Sequence, residues 1–290
     1  MKKRSFQKRS RKRIPLKTII FGGLFFCLLV ALGYFLIFSP FLWVQRIEVE
    51  ETKNIPVLEI EKIAKANLEG KLWLLIPQKS LLILPIDKIS RDILSKFPEV
   101  RAVTIEKIKP NPFNLDQISS GGGLLIKVEE RESIGIWCQL NGTTTDQVIS
   151  FEDRVNKCFY IDQQGIIFRE SLLVSGNLVV NIYSQIKDSV GLREKITSEE
   201  VIDFILLINK RLSQIETIDG SRLGIVGFEI VSIENLRATT SFGWQIYFNP
   251  SFSSDSQLNA LEMVLLQDIK ENYPILEYID LSIEGRVYYK

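Results

Sequence analysis

The sequence contains no histidine. That absence excludes Ser-His-Asp and Cys-His nucleophile systems and removes the commonest transition-metal ligand. Only three cysteines occur, Cys27, Cys138 and Cys158. Two thiols twenty residues apart cannot close a structural zinc site without further ligands. Neither G-x-x-x-x-G-K-[ST] nor G-x-G-x-x-G is present, and the SSGGG run at 119–123 lacks the strand-to-helix setting of a phosphate loop. Ser184-Gln185-Ile186-Lys187 and Ser175-Gly176-Asn177 match two penicillin-binding signatures, but in the wrong order, too close together and with no Lys-Thr-Gly after them. Ser5-Phe6-Gln7-Lys8 matches the first pattern as well, so it is cheap. Glu129 and Glu130 are neighbours on a strand-like stretch, point to opposite faces, and form no catalytic carboxylate pair. No catalytic residue, cofactor site or metal site is expected, and the chain reads as a binding or scaffold protein.

Acidic residues are missing from positions 1–17, which hold nine Lys or Arg. Of 36 basic residues, 27 remain for the rest of the chain against 35 acidic ones, a net of −8. No charged residue occurs from Thr18 to Gln45, and residues 19–38 are nearly all apolar. Some twenty apolar residues match the hydrocarbon thickness of a bilayer as a helix. The expectation is a basic cytoplasmic tail (1–17) and a single transmembrane anchor (18–42) with the N-terminus inside, by the positive-inside rule. Trp43 would sit at the interface, and Cys27 would pack within the span. The run is too long for a signal-peptide core and has no A-x-A-like exit. The basic tail is read as topology and attraction to anionic headgroups rather than nucleic-acid binding.

Beyond the apolar run the composition is that of a globular body, with 46% hydrophobic and 24% charged residues overall. VQRIEVEE (44–51) alternates as a strand. A helix follows Asn54-Ile55-Pro56 and stops near Gly70. KLWLLIPQKSLLILP is apolar but is interrupted by Pro77 and Pro85, so it is not a second span. Ile86, Ile89, Ile93, Leu94 and Phe97 make an amphipathic helical stripe that Pro98 ends. Strands follow at 100–109 and 124–130, separated by a loop at 110–123 rich in Pro, Asn and Gly. The order strand, helix, helix, strand, strand predicts an α+β unit over residues 43–132, with two helices on one face of a small sheet.

Residues 133–290 predict a second α+β domain, a mixed sheet rich in antiparallel strands with helices. Short strands are read at IGIWC, KCFYID, GIIFRE and NLVVNIY, then at 224–232, 235–240 and 244–248. Gln163-Gln164-Gly165 makes a turn. Thr197-Ser198-Glu199-Glu200 fits a capping box before the stripe Val201, Phe204, Ile205, Ile208, Leu212. A last helix carries Leu258, Leu261, Val264 or Leu265, Asp268 and Ile269, with Asp255 able to cap it. Cys138 and Cys158 lie on strands joined by a polar loop. A disulfide across that hairpin and a pair of buried free thiols both remain open. The chain ends on LEYIDLSIEGRVYYK, an aromatic, strand-prone segment where polar residues are usual.

Together these segments resemble the FtsQ/DivIB family of bacterial cell-division proteins, with its POTRA domain and C-terminal β domain. The resemblance rests on FLWVQRIEVE, the IPVLEI helix and the FPEVRAVTIEKIKP junction. It also rests on Ile126, Val128, Glu130, Arg131, Ile134 and Trp137, on Asp162, Gly165 and Phe168 of CFYIDQQGIIF, and on the closing LEYIDLSIEGRVYYK. Residues 110–123 are longer than the family's tight connection, and Ser282 stands where the family often has Arg. The resemblance implies a non-enzymatic scaffold of the divisome, located in the cytoplasmic membrane at the septum. It would bind FtsB- and FtsL-like bitopic proteins, and other division proteins through the POTRA domain or the span, and so influence septal peptidoglycan synthesis. In the family the last strand is an edge on which FtsB adds a strand, which here implies Ser282, Ile283, Glu284, Gly285, Arg286, Val287, Tyr288 and Tyr289. The alternative is a POTRA-containing, membrane-anchored assembly or transport factor, which would usually carry tandem repeats or an outer-membrane barrel.

Overall fold

The computed structural model describes residues 16–38, 43–72, 76–77, 79–108, 122–141, 154–174, 179–185, 190–216, 220 and 222–290. The basic tail to residue 15, most of the 110–123 loop and the polar loop between the two cysteines lie outside them. The chain divides into two compact units, residues 1–97 with 102–129, and residues 98–101 with 130–290.

The expected membrane anchor is corrected here. Helix α1 (Leu16–Phe38) forms over the apolar run. Among the described residues, however, no helix is long and apolar enough to cross a membrane. Trp43 is not a free interfacial aromatic either. It bridges to Ser80, and the Lys79 ammonium lies 3.6 Å over its ring.

The first unit holds a three-stranded sheet in the order β1 (Val44–Val49), β5 (Gly122–Glu130), β4 (Val100–Ile108). β1 runs parallel to β5. Helices α2 (Val57–Leu68) and α3 (Ile86–Lys96) pack on each other, and the Asn67 amide donates to Asp92 at 2.8 Å. Their apolar stripes bury Ile60, Ala64, Ile89 and Ile93 completely. Two differences from the expected strand-helix-helix-strand-strand order appear. A small hairpin, β2 (Lys71–Leu72) with β3 (Ile76–Pro77), lies between the helices. Gly122 and Gly123 belong to β5 rather than to the preceding loop, because they pair with Val44 and Arg46 of β1.

The second unit is built on one nine-stranded sheet, ordered β14-β13-β12-β11-β10-β9-β6-β7-β8. Its strands are β6 (Gly135–Leu140), β7 (Val155–Ile161), β8 (Ile167–Ser171), β9 (Val180–Ser184), β10 (Ile225–Ser232), β11 (Asn235–Thr240), β12 (Gln245–Phe248), β13 (Tyr278–Asp280) and β14 (Tyr288–Tyr289). Three pairs are parallel: β6 with β9, β9 with β10, and β12 with β13. Parallel neighbours need long crossovers. Helix α4 (Glu199–Leu212) supplies one between β9 and β10, and α5 (Ser254–Val264) supplies one between β12 and β13. Both helices join the main core, where Ile205, Ile208, Leu258 and Leu261 meet Trp137, Ile182, Phe228, Trp244, Ile246 and Ile279. The opposite face of the sheet carries a smaller cluster of Ile136, Cys138, Leu140, Cys158 and Tyr183.

Helix starts differ in detail from the sequence reading. Ser198, not Thr197, caps α4, accepting from the Val201 N–H. The Ser198 hydroxyl bonds the Glu200 carboxylate and holds its pKa below 4.5. Ser253, not Asp255, caps α5, accepting from the Ser256 N–H. After α5 the chain widens into a π turn (Leu265–Ile269) that buries Leu265 and Ile269.

The turn between β7 and β8 is held by a buried ion pair. One Asp162 oxygen accepts the N–H groups of Gln164 (3.0 Å) and Ile166 (2.9 Å), while the other accepts from the Arg131 guanidinium. Both side chains are over nine-tenths buried, at 7% and 6% exposure. Gly165 completes the turn at φ +76°, with the Thr197 carbonyl where a Cβ would sit. Arg131→Ala would leave a buried carboxylate unpaired. It is expected to lower unfolding free energy by about 3–5 kcal/mol, read from urea denaturation of the variant beside the parent.

Candidate functional site

Pro274 lies in a 3-10 turn (Lys270–Ile275), and the chain then enters β13. β13 aligns with β12 through Gln245 opposite Tyr278 and Tyr247 opposite Asp280. The Asp280 carboxylate accepts the Ser282 N–H at 2.9 Å and its hydroxyl at 2.6 Å, which turns the chain out of the strand. Ser282 thus has a local partner. Glu284 and Gly285 occupy the centre of the reversal, closed by the Arg286 N–H on the Ile283 carbonyl at 3.1 Å. Gly285 takes φ +70° with open space around it.

The chain returns antiparallel as β14, with Ile279 opposite Tyr289 and Asp280 opposite Tyr288. The strand inferred from the resemblance was longer than this. Residues 282–287 form the turn and its return, and only Tyr288 and Tyr289 are paired as a strand. Periodicity could not separate the two, because alternation continues through Ile283 whether or not a neighbour strand is present.

Hydrogen bonding shows which way this strand points. The Lys290 N–H donates to the Tyr278 carbonyl (3.2 Å), and the Tyr278 N–H donates to the Lys290 carbonyl (3.4 Å). Antiparallel ladders alternate, so Tyr288 also faces inward, whereas Val287 and Tyr289 direct their N–H and C=O groups outward. Among the described residues no strand pairs with that outer side. Side chains alternate too. Val287 packs against the main core and Tyr289 shares its face, half exposed at 49%. Arg286, Tyr288 and Lys290 lie on the other face, where the Arg286 guanidinium donates to the Tyr288 hydroxyl at 3.3 Å. Behind them on that face stand Tyr278 and Tyr247, with ring centroids 5.7 Å apart, and Arg237 over Tyr247. The geometry offers main-chain hydrogen bonds at an open edge, with an apolar side and a cationic, aromatic side.

The remaining predicted positions are placed as follows. Cys138 and Cys158 sit directly opposite each other on β6 and β7, joined as a disulfide. Ser184, the first residue of the S-x-x-K match, is buried and accepts the Trp137 indole N–H at 2.9 Å, a core role. Among the described residues no cluster of three metal-ligating side chains occurs. One contributor to the sheet was missed in the sequence. Buried Gln257 accepts from the Asn249 N–H (3.0 Å) and donates to its carbonyl (2.9 Å), tying α5 to the end of β12. A buried amide at a stripe position was the available signal. No protein-family model matches the chain, and no curated protein matches it either.

Two outcomes are expected of the terminal hairpin. Gly285→Ala forces a Cβ into a left-handed turn and should cost about 1–2 kcal/mol, measured by thermal or urea unfolding. The Glu277 carboxylate, 2.9 Å from the Lys290 ammonium, hydrogen-bonds it and raises its pKa above 10.5. The pair's contribution is therefore complete below 10.5 and fades as pH rises through the raised value. In Glu277→Gln the Lys290 side-chain resonance, followed by NMR, should titrate closer to 10.5.

Proposed function

We propose that this protein is a non-enzymatic scaffold of the bacterial division machinery, acting outside the cytoplasm at the septum. It binds FtsB- and FtsL-like proteins by strand addition at β14, linking early and late division proteins and septal peptidoglycan synthesis. The observation that carries this reading is the outer side of β14, where Val287 and Tyr289 direct four main-chain polar groups away from the sheet. An open edge of that kind is a template for a further strand, with alternate side chains setting specificity. An added strand would place one set of side chains over Val287 and Tyr289, and the other beside Arg286 and Tyr288. The resemblance of LEYIDLSIEGRVYYK to the family's closing segment supports the same edge. The disulfide supports a location in an oxidising compartment.

The test is co-purification of the full-length chain with FtsB- and FtsL-like proteins, beside a truncation ending at Ser282. The expected result is loss of the partners from the folded truncation; undiminished recovery would remove β14 as the docking edge. Tyr289→Pro deletes one outward N–H and leaves the inward ladder in place. Its expected effect is a roughly tenfold loss of affinity, the worth of about one hydrogen bond.

A further inference from the structure

The cystine has features that the scaffold role does not use. It joins directly opposed residues of β6 and β7, whose ladder runs from Gly135 opposite Ile161 to Leu140 opposite Val155. The strands are therefore held by main-chain bonds on both sides of the sulfurs. The cystine also lies on the face away from α4 and α5, in the small cluster with Ile136, Leu140 and Tyr183. The main core, on the other face, contains neither sulfur.

The two cysteines differ in exposure. Cys138, on the interior strand β6, is fully buried at 0% exposure, while Cys158 shows 7%. Cys158 also lines a groove of about 280 Å³, together with Asn156, Lys157, Ser171 and Leu172. Cys158 pairs with Ser171, and Tyr160 with Arg169, so Arg169 stands on the cystine's face one step along. Its guanidinium lies 4.7 Å over the Tyr160 ring.

We propose that Cys138–Cys158 is a thiol-exchange site, entered at Cys158 by a dithiol reductant while the protein stays folded. A reductant thiolate attacks the Cys158 sulfur. The bond to Cys138 breaks, and Cys138 leaves as a thiolate, protonated by solvent. The reductant's second thiolate then attacks its own sulfur in the mixed disulfide and releases Cys158. Two electrons pass from the dithiol to the cystine, and the reductant departs as a disulfide. The change is confined to the helix-free face, where Leu173, Val174 and Val179 pack on the cluster.

The experiment uses the full chain with Cys27→Ala, so that only this pair reports. Dithiothreitol is added without denaturant, thiols are counted with a maleimide, and tryptophan emission follows the fold. The expected result is two new thiols at a rate linear in dithiothreitol, with emission unchanged. A rate that levels off with reductant, or emission lost in step with the thiols, would mean that unfolding precedes reduction, and would overturn the proposal. In the same background Cys138→Ser should form a mixed disulfide with an aromatic disulfide probe at least tenfold faster than Cys158→Ser. Equal rates would overturn entry at Cys158.

Discussion

Burial of β6 on both faces is the constraint on which the second unit depends. All six of its residues are buried, with Trp137 toward the helices and Ile136, Cys138 and Leu140 toward the other side. A strand covered on both faces cannot slip by one residue without exchanging a large indole for a smaller group on each side. It is flanked by β7 running antiparallel and β9 running parallel, so its register sets theirs. Gly135 opens the strand because the Val180 carbonyl occupies the space of a Cβ. From that centre the sheet grows outward in both directions, toward β8 and toward β14.

Its two ends are treated differently. At the β8 end the 193–195 segment covers the edge at Ile167, with the Arg193 N–H on the Ile167 carbonyl and the Ile167 N–H on the Glu194 carbonyl. At the β14 end the last pairing is made by a two-residue strand whose outer groups have no strand beside them among the described residues. A short, twisted terminal strand next to a turn is a usual way of keeping an edge from self-association. Here it is compatible with selective addition, because charged and aromatic side chains flank the few exposed main-chain groups. The anchoring of that hairpin by Asp280, Ser282 and the Glu277–Lys290 pair is local.

Several buried polar groups are paired by neighbouring elements. Asp162 with Arg131 fixes the β7–β8 reversal, Gln257 secures α5, and Ser184 satisfies the Trp137 indole. Glu229, with 3% exposure, is met across the β10–β11 ladder by Arg237 at 3.2 Å. Each removes a desolvation cost that an unpaired group would impose.

Local pattern alone determined most element positions. The stripe Val201, Phe204, Ile205, Ile208, Leu212 and the alternation in 225–232 and 235–240 follow from which residues must leave water, so periodicity displays them directly. The turn at Gly165 and the break at Gly285 were equally legible, since left-handed backbone favours glycine. The absence of catalytic histidine was legible too. Tertiary structure decided what periodicity does not encode. It made β9 and β10, and β12 and β13, parallel neighbours across helices, and it put β6 rather than a sequence neighbour beside β9. It drew Gly122 and Gly123 into a strand by pairing them with β1, and it set Cys138 opposite Cys158. It also reduced the apparent terminal strand to Tyr288 and Tyr289. Strand pairing depends on residues far apart in the chain, and hydrogen-bond direction depends on register, so neither is written in the local order of apolar and polar side chains.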